Sequence, residues 1–269
     1  MAPMDPLHAI VLAIVQGLSE FLPVSSSGHL ILVPHFLGWS DQGLAFDVAV
    51  HVGTLVAVVA YFRTQLFAMV RAWFGSLAGG GLTPDARLAW CVLLGTIPVG
   101  VVGLAFGKLI EETLRNPLFV AATLSSFGVL MWLADRYGRR ERDEYGVGWR
   151  DALLVGGAQA LALMPGTSRS GVTMTMARTL GLSREAAARF SFLLAVPGIA
   201  MAGGWEGVKL LRAGGDGVDW STMGLGFVIA AATGYASIHW LLNVINRIGL
   251  GPFAVYRLAL AVVIVLVFA

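Results

Sequence analysis

The sequence predicts an all-α polytopic membrane protein in which six transmembrane helices and two re-entrant helical hairpins form inverted repeats. Three observations predict it. Of 269 residues, 57% are hydrophobic and only 13% charged, against about 45–50% and about 25% in soluble domains. Six stretches reach or approach the roughly 20 mostly apolar residues of a spanning helix. A polar signature, Pro23-Val24-Ser25-Ser26-Ser27-Gly28-His29, also returns in altered form as Pro165-Gly166-Thr167-Ser168-Arg169-Ser170-Gly171.

Taken in order, the expected spans are 46–62, 88–107, 117–135, 185–205, 222–243 and 253–269. Two further apolar stretches, 5–22 and 149–164, each run into a proline and then the polar signature; short helical stretches follow to about 37 and 181. Each pair reads as a helix-turn-helix hairpin. Irregular backbone rich in hydroxyls is not tolerated facing lipid, but it is tolerated lining a cavity inside the protein. Both hairpins are therefore expected to be re-entrant. The N-terminus lacks the basic start and cleavage site of a signal peptide, so the first apolar stretch is expected to be retained. No polar stretch is long enough for a second domain, and residues 1–269 read as one membrane domain.

A shift of 143 positions aligns Gln16 with Gln159, Leu18 with Leu161, Ser25 with Ser168, Ser27 with Ser170 and Gly28 with Gly171. The repeats cover about 5–135 and 149–269. Each hairpin precedes three spans, and an odd number of crossings puts the two halves in opposite orientations. Arg63, Arg71 and Arg87 then share a side with Arg136, Arg139, Arg140, Arg142 and Arg150. By the positive-inside rule that side is cytoplasmic. The regions Lys108 to Arg115 and Glu206 to Asp219 are balanced or acidic, as expected outside. Both termini come out external, and the hairpin tips enter from opposite sides to meet near the midplane.

The polar residues at membrane depth are the candidates for chemistry. Gln16 and Glu20 are spaced i,i+4 and share one face of an apolar helix, as do Asp47 and His51. An intramembrane carboxylate is costly unless paired or bound to a cation. Oxygen ligands such as Glu20 and Asp47 suit Mg2+ or Ca2+, which can bridge to a pyrophosphate; a hydrogen-bonded structural cluster is the alternative. Ser25, Ser26 and Ser27 fall at a helix start, where backbone N–H groups attract anions and hydroxyls add donors. Helix capping is the plainer role of any one of them. His29 reads as a general base or acid, or as a satisfied structural donor. Arg169 is the strong cation of the second tip; a bidentate phosphate resolves its burial, as does an ion pair with Glu20.

The remaining signals are plainer. Arg257 lies close to the start of the last span and is expected to snorkel or pair locally. Cys91, alone in an apolar run, reads as an inert core thiol and excludes an intrachain disulfide. The tryptophans fall mostly near span ends, as in interfacial belts. Gly95 to Gly103 and Gly224 to Gly234 read as close helix packing. A net charge of +2, with arginines spread among short loops, gives no stripe for nucleic acid.

The chain closely resembles the undecaprenyl-pyrophosphate phosphatase family, also called the bacitracin resistance protein BacA family, almost end to end. The segments that carry the resemblance are QGLSEFLPVSSSGHL (Gln16 to Leu30), FDVAVHVGTLVAVV (Phe46 to Val59), LMPGTSRSG (Leu163 to Gly171), FSFLLAVP (Phe190 to Pro197) and PFAVYR (Pro252 to Arg257). It implies a bacterial inner-membrane phosphatase that converts undecaprenyl pyrophosphate to undecaprenyl phosphate, with interdigitated inverted repeats and re-entrant helices. It makes Ser26 the expected nucleophile, places Glu20 and His29 in the catalytic site and gives Arg169, with Ser168, the phosphate. The expected binding set is Arg169, Ser168, Ser170, Ser25, Ser27 and Gln16, with a divalent cation on Glu20 and Asp47. Where related chains carry Glu or Gln, this one has Gln16, leaving one carboxylate fewer for metal. His51 stands where related chains can carry Gln.

The expected partners are the polyprenyl pyrophosphate and the bilayer, with a homodimer left open. A prenyl-phosphate transporter or flippase is the rival, because inverted repeats with broken helices are a transporter feature. The type-2 phosphatidic acid phosphatase pattern fails, since it needs His where Thr175 follows Ser168-Arg169.

Overall fold

The fold was described from a computed structural model and covers residues 4–114, 116–139, 141–212 and 219–268. The expectations for Arg115, Arg140, residues 213–218 and Ala269 lie outside the described residues. Among the described residues, eleven α-helices follow in order: α1 (Pro6–Phe21), α2 (Ser26–Leu37), α3 (Gly43–Tyr61), α4 (Arg63–Leu77), α5 (Pro84–Thr113), α6 (Pro117–Tyr137), α7 (Trp149–Ala160), α8 (Arg169–Thr179), α9 (Arg184–Arg212), α10 (Trp220–Ile248) and α11 (Gly251–Phe268). Among the described residues, six helices are long and apolar enough to cross a membrane, in α3, α5, α6, α9, α10 and α11. These are the six expected spans.

Local chemistry sets the boundaries. α1, α5 and α6 each begin with a proline near N1, where its missing N–H costs nothing. Each is capped by the preceding side chain: Asp5, Thr83 and Asn116 accept from Leu7 N, Ala86 N and Leu118 N. α2 ends at Gly38, whose φ of 65° is the left-handed conformation of a C-terminal cap. Several spans run past their apolar stretches, α5 to Thr113 and α9 to Arg212. Apolarity marks the hydrocarbon depth, whereas the backbone stays helical for further turns into polar sequence.

One element departs from the expected loops. Residues 63–77 form a helix, α4, although two arginines and the short apolar runs mark them as polar connection. Its apolar residues recur every three or four positions. Met69 is buried, and Trp73 meets Trp90 of α5 with ring centroids 5.6 Å apart, while Phe67, Val70, Phe74 and Leu77 are exposed. Such a helix presents two apolar faces.

The short helices pack across the two halves of the chain. α1 lies against α10 and α7 against α5, while α3 also packs on α10 and α6 on α11. Two glycines permit the approach. A Cβ on Gly17 would stand 2.8 Å from Gly234 N, and one on Gly156 would stand 2.2 Å from Gly95 O. The close packing expected of Gly95 and Gly234 is present, but Gly224 has open space and Gly103 meets only the Leu163 side chain at 3.9 Å. The Cys91 thiol is buried in the large apolar cluster, with Phe190, Phe192 and Leu193.

Candidate active site

The turn between α1 and α2 and the turn before α8 meet inside the bundle. α1 stops because Pro23 disfavours helix in the residue before it, and Leu22 is extended. Ser25 then precedes α2 with φ 74°, and Ser168 precedes α8 with φ 69°. These are the non-glycine residues with positive φ among the described ones, and they are the residues that the 143-position shift aligns. An L-residue there costs on the order of 1–3 kcal/mol and persists where its surroundings over-determine it.

Those surroundings are visible. Ser170 Oγ donates to Leu22 O at 3.0 Å, and Thr123 Oγ1 donates to Pro165 O at 2.6 Å. Ser168 Oγ accepts from Gly171 N at 3.2 Å. Arg257, fully buried, donates to Gly166 O and Thr167 O at 3.0 Å each, to Leu124 O at 3.2 Å and to Pro23 O at 3.4 Å. The expectation that Arg257 snorkels or pairs locally is therefore corrected, since its partners are distant in sequence. Nearly two turns into α11, its side chain points inward because both turns offer carbonyl oxygens that no helix satisfies.

Glu20 is the centre of the polar cluster. Its Oε2 accepts from Ser26 Oγ at 2.6 Å and Gln16 Nε2 at 3.0 Å, and its Oε1 accepts from Arg169 Nη2 at 3.2 Å. His51 Nε2 lies 3.9 Å from the same carboxylate. Glu20 is only 7% exposed, so its charge needs these partners. Arg169 Nη1 also donates to Ser191 O at 3.2 Å, fixing the guanidinium plane.

Residues 9–263 match the family described as "Bacitracin resistance protein BacA". The chain belongs to that family. It is 56% identical to a protein named "Undecaprenyl-diphosphatase 2" from Stutzerimonas stutzeri, over 99% of both chains. It is 53% identical to an "Undecaprenyl-diphosphatase" from Nitrosococcus oceani, over 99% of this chain and 100% of that one. A protein of the same name from Thioalkalivibrio sulfidiphilus is 51% identical over 98% and 100%.

Within this family frame, most of the sequence-derived residues converge. Gln16, Glu20, Ser26 and Arg169 are joined directly by hydrogen bonds, while Ser25, Ser168 and Ser170 form the turns that carry them. Ser27 is exposed beside them. His29 is arranged differently from the expected base: its Nδ1 bonds Ser25 O at 2.7 Å and its Nε2 the Tyr256 hydroxyl at 2.5 Å. The group that accepts the Ser26 proton in the structure is Glu20. Asp47 accepts from Gln42 Nε2 at 2.9 Å, and its backbone oxygen meets His51 Nδ1 at 2.7 Å.

Four buried side-chain atoms of the cluster lack a protein partner: Gln16 Oε1, Ser25 Oγ, Thr167 Oγ1 and Arg169 Nε. Buried polar atoms ordinarily find a partner, and these four have none within the protein. No group of three or more His, Cys, Asp or Glu gathers among the described residues. The free oxygen of Gln16 with the Glu20 carboxylate fits a hard cation such as Mg2+, which takes one or two protein carboxylates and draws other ligands from phosphate.

Arg257, Tyr256 and Thr123 are the site residues that sequence reasoning missed. The signal for Arg257 was present: a guanidinium inside an apolar helix is costly enough to be functional by default.

Proposed function

We infer that the protein is a membrane undecaprenyl-diphosphatase. It hydrolyses undecaprenyl pyrophosphate to undecaprenyl phosphate and inorganic phosphate, returning the lipid carrier to cell-wall synthesis and conferring the bacitracin resistance for which the family is named. The observation that carries the reading is one carboxylate, Glu20, holding both the Ser26 hydroxyl and the Arg169 guanidinium.

The chemistry follows from that triad. A phosphate approaching the tips competes with Glu20 for Arg169, whose planar fork suits a bidentate oxyanion. With Arg169 drawn to the phosphate, Glu20 Oε2 takes the Ser26 proton that it already faces, and Oε1 is left for a cation. The Ser26 oxygen attacks the terminal phosphorus as the bond to the bridging oxygen breaks, and undecaprenyl phosphate leaves. Water then hydrolyses the phosphoserine, releasing inorganic phosphate and restoring the serine. Arg169, the unpartnered hydroxyls and the N-terminus of α8 hold the charge on the phosphoryl oxygens. A divalent cation held by Glu20 and Gln16, with Asp47 as a further carboxylate, would neutralise pyrophosphate charge.

The site's membrane placement is part of the same reading. At about 1.5 Å per residue, α1, α2, α7 and α8 are each shorter than the hydrocarbon core of about 30 Å. That supports two re-entrant hairpins. Their cross-packing on α10 and α5 supports inverted, interdigitated repeats, with both termini external in a bacterial inner membrane.

Phosphate release from undecaprenyl pyrophosphate by purified protein, with and without chelator, tests the activity and the cation. Activity is expected in the wild type and loss in Ser26→Ala and Arg169→Ala. Wild-type rates in both variants would overturn the site. A preparation that releases no phosphate but moves prenyl phosphate across liposomes would replace hydrolysis with transport.

A further inference from the structure

We propose that Tyr256 is a positioning residue for His29, holding the imidazole of α2 from the neighbouring helix α11. The inference rests on the reading of the cluster as a phosphatase site. Neither the catalytic cycle nor the Arg257 clamp uses this tyrosine.

The hydrogen bonds define the pair. Ser25 O, a carbonyl, can only accept, so His29 Nδ1 carries a proton and donates to it at 2.7 Å. In the neutral ring Nε2 is then the lone-pair nitrogen, and the Tyr256 hydroxyl donates to it at 2.5 Å. The rings lie nearly parallel, 9° apart with centroids separated by 5.6 Å. The Ser25 carbonyl fixes which nitrogen is protonated; Tyr256 fixes where the other one points. If the ring becomes charged, the hydroxyl can turn and accept, so the pair persists in either state.

Tyr256 is not needed merely to dock α11 on α2. His35 meets Phe268 with ring centroids 4.7 Å apart, and Leu32 packs in one apolar cluster with Ala261 and Ile264. A hydroxyl spent on a histidine at a half-exposed site, where Tyr256 is 44% accessible, adds little to that packing. What it adds is direction. Arg257, the next residue, faces the two turns, so consecutive positions of α11 address the backbone of the site and the imidazole beside it.

The test is Tyr256→Phe, which keeps the ring and removes the hydroxyl. With undecaprenyl pyrophosphate as substrate, kcat should fall about tenfold with KM little changed, His29 serving as the proton carrier of the phosphoserine hydrolysis step, where a positioned acid or base supplies roughly 10²–10⁴-fold. In a His29→Ala background the same change should cause no further loss of residual activity. In 15N spectra of labelled protein, His29 should keep its Nδ1–H form in Tyr256→Phe while the Nε2 resonance moves toward that of an unbonded nitrogen. Wild-type kcat in Tyr256→Phe, an equal loss in both backgrounds or an unmoved Nε2 resonance would overturn the proposal. Full activity in His29→Ala would overturn the histidine's place in the site and this inference with it.

Discussion

Glu20 Oε1 and Arg169 Nη2 lie 3.2 Å apart across 149 positions of sequence, joining the tips of two hairpins from different halves of the chain. Both are largely buried, and a buried ion pair is a poor source of net stability. In the proposed cycle its value is that a phosphate can take the carboxylate's place on Arg169. Arg169→Lys should lower kcat/KM by about 10²-fold or more, although the charge is kept, because the fork that grips two phosphate oxygens is gone. Steady-state phosphate release checks this; a lysine variant with wild-type kcat/KM would mean that the guanidinium binds only Glu20.

Glu20→Gln keeps the shape of the acceptor but removes its basicity. If Glu20 takes the Ser26 proton over their 2.6 Å contact, kcat should drop by about 10²–10⁴-fold. The amide can still bond Ser26, so KM should change far less than kcat. A rise in KM alone would assign the carboxylate to binding.

Ser26→Ala should abolish both turnover and the phosphoserine expected from rapid acid quench of substrate labelled in its terminal phosphate. The nucleophile and its base act as a unit, so combining Ser26→Ala with Glu20→Gln should cost little beyond either alone. Residual activity with no trapped intermediate in the wild type would favour direct attack by water.

The six spans and the polar signature were legible because they depend on local quantities: runs of apolar residues and side chains that lipid cannot tolerate. Glu20, Ser26 and Arg169 stood out for that reason. Their pairing was not legible, since the bond from Ser26 to Glu20 depends on the extended turn through Leu22 and the positive φ of Ser25. Sequence suggests that Arg257 snorkels or pairs locally because its position near a helix end is visible there, while the carbonyls of Pro23, Gly166 and Thr167 become neighbours only in the fold. The helix at Arg63–Leu77 was missed because it is too polar for a span, and its burial of Met69 is a tertiary fact. Arg178, fully buried in α8, donates to Asp135 and to the carbonyls of Gly138, Arg139 and Leu182, partners that only the fold brings to it.

Gly156→Val should destabilise the bundle, because its Cβ would stand 2.2 Å from Gly95 O, a backbone atom that cannot swing aside. Separating α7 from α5 should cost about 1–3 kcal/mol, seen as a lower melting temperature in detergent. Gly157→Ala is the control: that site is exposed with nothing within 4 Å. It should be neutral or stabilising by about 0.5–1 kcal/mol, as alanine favours helix. Equal melting temperatures for the two variants would refute a tight α5–α7 contact.

Arg257→Met should unfold the site rather than slow its chemistry. The methionine approximates the volume, but the carbonyls of Pro23, Leu124, Gly166 and Thr167 would lose their donor. Hydrogen bonds from a charged donor contribute about 1.5–3 kcal/mol each, and a buried acceptor left unsatisfied costs about 1–3 kcal/mol. Non-additivity within one guanidinium brings the expected loss to at least about 3 kcal/mol. Arg257→Lys should recover only part of it, because one ammonium cannot span carbonyls on two turns and a third helix. Detergent melting curves separate this role from that of Arg169: activity and stability should fall together at 257. A stable but inactive Arg257→Met would instead mean that the buried charge acts on the phosphate through its field, and that the turns hold their positive-φ serines without the clamp.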